Sequence, residues 1–123
     1  MKTQKQQLGH KGEERAAEYL QKKGMTIIAR NFHFGHHELD IIGVDKHTLV
    51  VVEVKSVRVR DFGSGEARIS KGKQRSIIKA TYAFLGRYKK YSGMDVRFDV
   101  VCVNFDVYPA DIRHYEGAFW DSW

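Results

Sequence analysis

The sequence predicts an α/β domain, a mixed β-sheet flanked by helices in the order α-β-β-β-α-β. Two segments, 8–24 and 73–91, repeat apolar residues at three- and four-residue spacing, the pattern of a helix with one buried stripe. Runs rich in Val, Ile and Leu at 25–34, 37–55 and 96–107 have the length and composition of strands. Helical and strand patterns interleave along the chain, which points to layers of helix on sheet rather than a bundle or a sandwich.

A chain of 123 residues fits one domain, 1–123, with a single hydrophobic core. Its 42% hydrophobic and 29% charged residues exclude the disordered class. The one cysteine, Cys102, rules out an intramolecular disulfide and a cysteine zinc site, and fits a reducing compartment as a buried small hydrophobe. The N-terminal stretch M-K-T-Q-K-Q-Q-L is too polar for a signal peptide, and no apolar run approaches the ~20 residues of a membrane span. A cytoplasmic protein without a membrane partner is expected. The net charge of +6 points instead to a polyanion, nucleic acid before anionic lipid.

In the first helix Leu8, Ala16, Ala17, Tyr19 and Leu20 form the stripe, and Gly24 ends it. Glu13 shares the face of Ala16, Ala17 and Leu20, whereas Glu14 and Glu18 point elsewhere. A structural reading of Glu13 is a charge favoured by the helix dipole near the N-terminus. Met25 to Phe34 then reads as a strand, and Gly35 turns the chain into a hairpin, His37 to Lys55. The stretch 57–72 is polar, contains F-G-S-G and lacks periodicity, so a mobile surface loop is expected there. In the second helix Ile77, Ile78, Thr81, Phe84, Leu85, Tyr88 and Tyr91 line one side. Val96 to Val107 is nearly continuously apolar in its middle, as an interior strand is, and Pro109 stops it. The tail, 109–123, carries Tyr115, Phe119, Trp120 and Trp123 and is suited to covering a sheet edge or meeting a second subunit.

The hairpin is unusual because Glu38, Asp40, Glu53 and Lys55 lie inside apolar runs, where unpaired charge is costly. With Asp45-Lys46 as a two-residue turn, Glu38 stands opposite Glu53 and Asp40 opposite Val51. Alternation then places Glu38, Asp40, Glu53 and Lys55 on one face and Leu39, Ile41, Val50, Val52 and Val54 on the other. Carboxylates ~5–8 Å apart repel unless a cation intervenes, and hard oxygen ligands suit Mg²⁺ or Mn²⁺. With Lys55 beside them they form a plausible site for phosphodiester hydrolysis. The competing reading is a solvent-facing sheet charged for solubility.

The string L-G-x-x-G-E-x-x-A-x-x-Y-L, then A-R-N, E-L-D-I-I, V-V-V-E-V-K, K-Q and R-F-D-V-V resembles the YraN family of small bacterial proteins, from Leu8 to about Val103. That family is grouped with Holliday junction resolvases and restriction enzymes, which share the Asp…Glu-x-Lys nuclease core. The resemblance therefore implies a restriction-endonuclease-like fold and a metal-dependent nuclease acting on DNA, branched DNA in particular, as a homodimer by analogy. It implies that Asp40 and Glu53 bind the metal, Mg²⁺ or Mn²⁺, that Lys55 is the catalytic lysine, and that Glu13 completes the site. Gln74, in the K-Q motif, would contact the site or the nucleic-acid backbone. His37 stands where the family commonly has glycine, which leaves Glu38 open as a further metal ligand or a neighbour.

Between Lys55 and Lys90 the cations include Arg58, Arg60, Arg68, Lys71, Lys73, Arg75, Lys79, Arg87 and Lys89, opposed only by Asp61 and Glu66. Such a block binds phosphates without reading sequence, though a solvated helix face would look alike. His33, His36 and His37 lack the spacing of a zinc site and read as polar residues at a strand end. Three functions are consistent with these patterns: a nuclease, a nucleic-acid-binding protein that keeps the fold without turnover, and an adaptor working through its aromatic tail.

Overall fold

The computed structural model describes residues 3–58 and 68–120. Arg60, Asp61, Glu66 and Trp123, and most of the expected loop, lie outside the described residues. The elements are α1 (Gln4–Lys22), β1 (Thr26–Phe34), β2 (His37–Asp45), β3 (Thr48–Val57), α2 (Lys71–Arg87), a short 3-10 turn (Lys89–Tyr91), β4 (Asp95–Asn104) and β5 (Asp111–Phe119). The fold is α/β, consistent with a restriction-endonuclease-like core, with one strand more than the expected order.

Helix α1 starts earlier than its apolar stripe. Thr3 caps it, accepting from Gln6 N while Gln6 Oε1 accepts from Thr3 N, a reciprocal capping box. Glu13 therefore sits in the middle of α1, where a terminal-dipole explanation does not reach. Gly24, at φ 101°, ends the helical segment in a conformation costly for other residues. Helix α2 begins at Lys71, capped by Ser70 Oγ accepting from Lys73 N.

The five strands lie in the order β1-β2-β3-β4-β5. Neighbours run antiparallel except β3 and β4, which are parallel and joined through α2. Each helix covers one face. On the α1 side Ala16, Ala17, Leu20 and Met25 pack on Ile41, Val50, Val52, Val101 and Val103. On the α2 side Ile77, Ile78, Ala80 and Phe84 pack on Leu39, Ile42, Leu49, Val51 and Phe98. Strands covered on both faces lose their alternation, which is why β3 and β4 read as continuous apolar runs.

The hairpin turn is Lys46-His47, not Asp45-Lys46: Asp45 pairs with Thr48, and Lys46 takes the positive φ of 57° that a tight turn needs. This register sets Val44 against Leu49 rather than against His47. The tail covers a sheet edge, the first of its two expected roles, and does so as a strand. Asp111–Phe119 is a full edge strand on β4, so β4 lies inside the sheet.

A buried ion network fastens that strand. Arg97 grips both oxygens of Asp99 (2.9 and 3.0 Å), His114 Nε2 lies 2.7 Å from Asp99 Oδ2, and Gly117 N donates to Oδ1. Lys23 Nζ donates to His114 Nδ1 (2.8 Å), so Nε2 carries the imidazole proton toward Asp99. Burial alone would push the Asp99 carboxyl up, but hydrogen bonds from His114, Arg97 and Gly117 outweigh it and hold the group below its ordinary value. Asp99→Ala should cost about 3–5 kcal/mol, because it leaves Arg97 without its buried partner. Glu116→Ala, at a carboxylate 53% exposed, should cost under about 1 kcal/mol. Urea unfolding of the two variants measures this; equal costs would refute the anchoring role.

Candidate active site

The β2–β3 ladder ends at Ile41 opposite Val52. Beyond that point Asp40 Oδ2 accepts a hydrogen bond from Val54 N (2.8 Å), so its carboxylate sits in the gap between the two strands. Strict alternation fails here on β2. Leu39 belongs to the α2-side core and Ile41 to the α1-side core, while Asp40 and Glu38 approach Glu13 of α1. On β1, Asn31, between the Arg30–Ile41 and Phe32–Leu39 pairs, has a left-handed φ of 53°.

The four charged hairpin residues therefore do not share one face. Glu38 and Asp40 meet Glu13 on the α1 side, with ligand oxygens all within 4.8 Å of one another. Val52 and Val54 pack toward α1, so Glu53 between them and Lys55 after them turn to the α2 side. There Glu53 Oε2 lies 3.6 Å from Lys73 Nζ, and Lys55 Nζ donates to the Arg68 carbonyl at 3.1 Å. Asp40 still joins the two groups, because it lies close enough to hydrogen-bond the Glu53 carboxyl. A cleft of about 190 Å³, lined by Leu8, Gly9, Glu13, Asp40, Val54 and Ser56, opens onto the α1 side of this arrangement.

The remaining expected residues divide. Lys73 is at the site through Glu53. Gln74 Nε2 donates to the Ile69 carbonyl (3.0 Å) and ties down the entry to α2. Arg58 faces Asp106 across 3.7 Å, and Arg68, Lys71 and Arg75 are exposed near the start of α2. His37 Nδ1 is hydrogen-bonded to Ser76 Oγ, which leaves it a structural residue. Asn31, the last residue of the A-R-N motif, was given no site role by the sequence, yet it faces the Glu13 and Glu38 carboxylates; no periodicity marks such a role. The Arg97–Asp99 pair had a visible signal, opposite charges two apart on one strand face. Asp99, His114 and Glu116 also cluster, but Arg97 already neutralises Asp99.

Crowding shows in the protonation of the site. Burial first, then the charges of Asp40 and Glu38, push Glu13 up to about 7 against the pull of Arg30. Burial and Asp40 also raise Glu53 well above the carboxylate range, with Lys73 opposing them. A set of hard oxygen donors that repel one another this strongly fits a divalent cation, which Glu13, Glu38 and Asp40 could hold, with Glu53 adjoining through Asp40.

Both groups bind protons more readily folded than unfolded. Their stabilising contribution is present below the ordinary value of 4.5 and is lost as the pH rises toward 7 and beyond. Metal-free protein should resist urea less at about pH 8.5 than at about pH 5.5, and Glu53→Gln should reduce that difference. An identical pH dependence in the variant would show that Glu53 is not strained by its surroundings.

The family model for the Uncharacterised protein family UPF0102 matches residues 12–103, which include every carboxylate of the site. A UPF0102 protein of Chlorobium chlorochromatii is 40% identical over 122 residues, covering 93% of this chain and 92% of its own length. One from Desulfosudis oleivorans is 44% identical, covering 84% and 83% respectively. One from Syntrophotalea carbinolica is 36% identical over the whole of both chains. The chain belongs to the UPF0102 family, the same family as the YraN proteins that its motifs resemble.

Proposed function

We propose that the protein is a metal-dependent nuclease that hydrolyses DNA phosphodiester bonds, with branched DNA as its substrate class. The observation that carries this reading is Asp40 in the strand gap, joining Glu13 and Glu38 on one side to Glu53 on the other, with Lys55 and Lys73 alongside. A bound Mg²⁺ or Mn²⁺ would supply Lewis acidity toward a phosphate oxygen and make a bound water more acidic.

The chain's own residues do the rest. Asp40 is held by the Val54 N–H, so its carboxylate has one orientation from which to serve both groups. Glu13 and Glu53, raised by burial and by Asp40, would release their protons as positive charge approaches. Lys55 is steadied by the Arg68 carbonyl and can orient a water or a phosphate oxygen near Glu53. Lys71, Lys73 and Arg75 at the start of α2 supply phosphate contacts that carry no sequence information. One observation favours the alternative, a nucleic-acid-binding protein without turnover: Lys73 already sets an ammonium group beside Glu53.

A cleavage screen over branched, flapped and single-stranded DNA with Mg²⁺ and with Mn²⁺ separates the two. Cleavage should appear with the wild type and fall by at least about a hundredfold in Asp40→Asn, Glu53→Gln and Lys55→Ala. Binding without any cleavage would support the alternative. In either case affinity should fall with salt, persist in Glu53→Gln and weaken when Lys71, Lys73 and Arg75 are neutralised together. A wild type that neither cuts nor binds DNA would refute both.

A further inference from the structure

Asn31 has a left-handed backbone in the middle of a strand, at φ 53°. Its neighbours Arg30 and Phe32 pair normally with Ile41 and Leu39, so the strand does not end there. What changes is the aim of the side chains. Arg30 reaches Glu14 of α1 (2.8 Å), Phe32 lies against Phe84 of α2, and Asn31 also turns to the α1 side. With its amide nitrogen toward the carboxylates, Asn31 donates to Glu13 Oε1 at 2.8 Å and to Glu38 Oε1 at 3.0 Å.

An amide offers two hydrogens and no charge. It can hold two carboxylates together while leaving their negative charge available, which a lysine or arginine there would cancel. Asparagine is also the residue other than glycine that best accepts the left-handed conformation, so backbone and side chain make the same demand. We propose that Asn31 is a positioning residue for the carboxylate cluster: it clamps Glu38 to Glu13 and so recruits Glu38 to the cation-binding set with Asp40. This rests on the metal-dependent reading of the site, but the clamp itself exists without metal.

Two measurements separate the clamp from the metal. In metal-free protein, the side-chain amide protons of Asn31 should exchange slowly in nitrogen-15 spectra, and their shifts should move in Glu38→Ala. Resonances of a free, rapidly exchanging amide would overturn the proposal. For the metal, Asn31→Gly keeps the backbone conformation and deletes the donor, and should weaken Mn²⁺ binding about tenfold. In a Glu38→Ala background the same substitution should cost clearly less, because one of its two partners is already gone. An equal loss in both backgrounds would make Asn31 a backbone residue only. Absence of Mn²⁺ binding in the wild type would sink the metal-dependent reading and Glu38's recruitment with it, while the amide resonances would still report on the clamp.

Discussion

A backbone N–H left inside a folded domain has to be paired, and at Val54 the partner is the carboxylate of Asp40. This bond lets β2 and β3 part beyond Ile41 and Val52 without leaving that donor unpaired. It also fixes Asp40 in the plane of the sheet rather than on one of its faces. The rest of the site depends on that placement, because only a group in the gap can reach Glu13 and Glu38 on the α1 side and Glu53 on the α2 side.

The local break in alternation has a use that a regular sheet could not provide. A regular hairpin would set all its charges on one face and expose them together to a single helix. Here the sheet is covered on both faces, and each helix brings its own contribution: Glu13 from α1, Lys73 from α2. The close approach of α1 matters as well. A Cβ on Gly12 would lie 1.8 Å from Ser56 Oγ, so glycine at that position lets the helix carry Glu13 down to the strands. Carboxylates crowded in this way hold protons that they would otherwise release, and a cation relieves the repulsion. The same charge that destabilises the metal-free site is what would give a cation its affinity.

The far edge of the sheet solves a different electrostatic problem. Asp99 is fully buried, yet it is paired with Arg97 and His114 and bonded to Gly117 N, so its charge is compensated. Arg97 and Asp99 come from β4, His114 and Gly117 from β5. The network therefore fastens an edge strand whose own composition is too polar for packing alone to hold. The two acidic clusters differ in electrostatics: the Asp99 carboxyl is held down by its partners, whereas Glu13 and Glu53 are pushed up despite Arg30 and Lys73.

Local pattern determined a good deal. The stripes of α1 and α2, the apolar runs of β3 and β4, and Glu13 on the buried face of its helix are all readable, because helix and strand periods impose side-chain direction over short distances. Asp40, Glu53, Lys55 and Glu38 stood out because charge in an apolar strand is costly. Tertiary structure decided what depends on partners distant in sequence. The register of the hairpin followed from matching Val44 to Leu49, and β5 formed because β4 offered an edge and Asp99 a buried anchor. The division of the site across two faces followed from one carboxylate taking one N–H, and Asn31 gained its role only through two glutamates from other elements. Periodicity describes a strand as if it were regular, and the site is built where β1 and β2 stop being so.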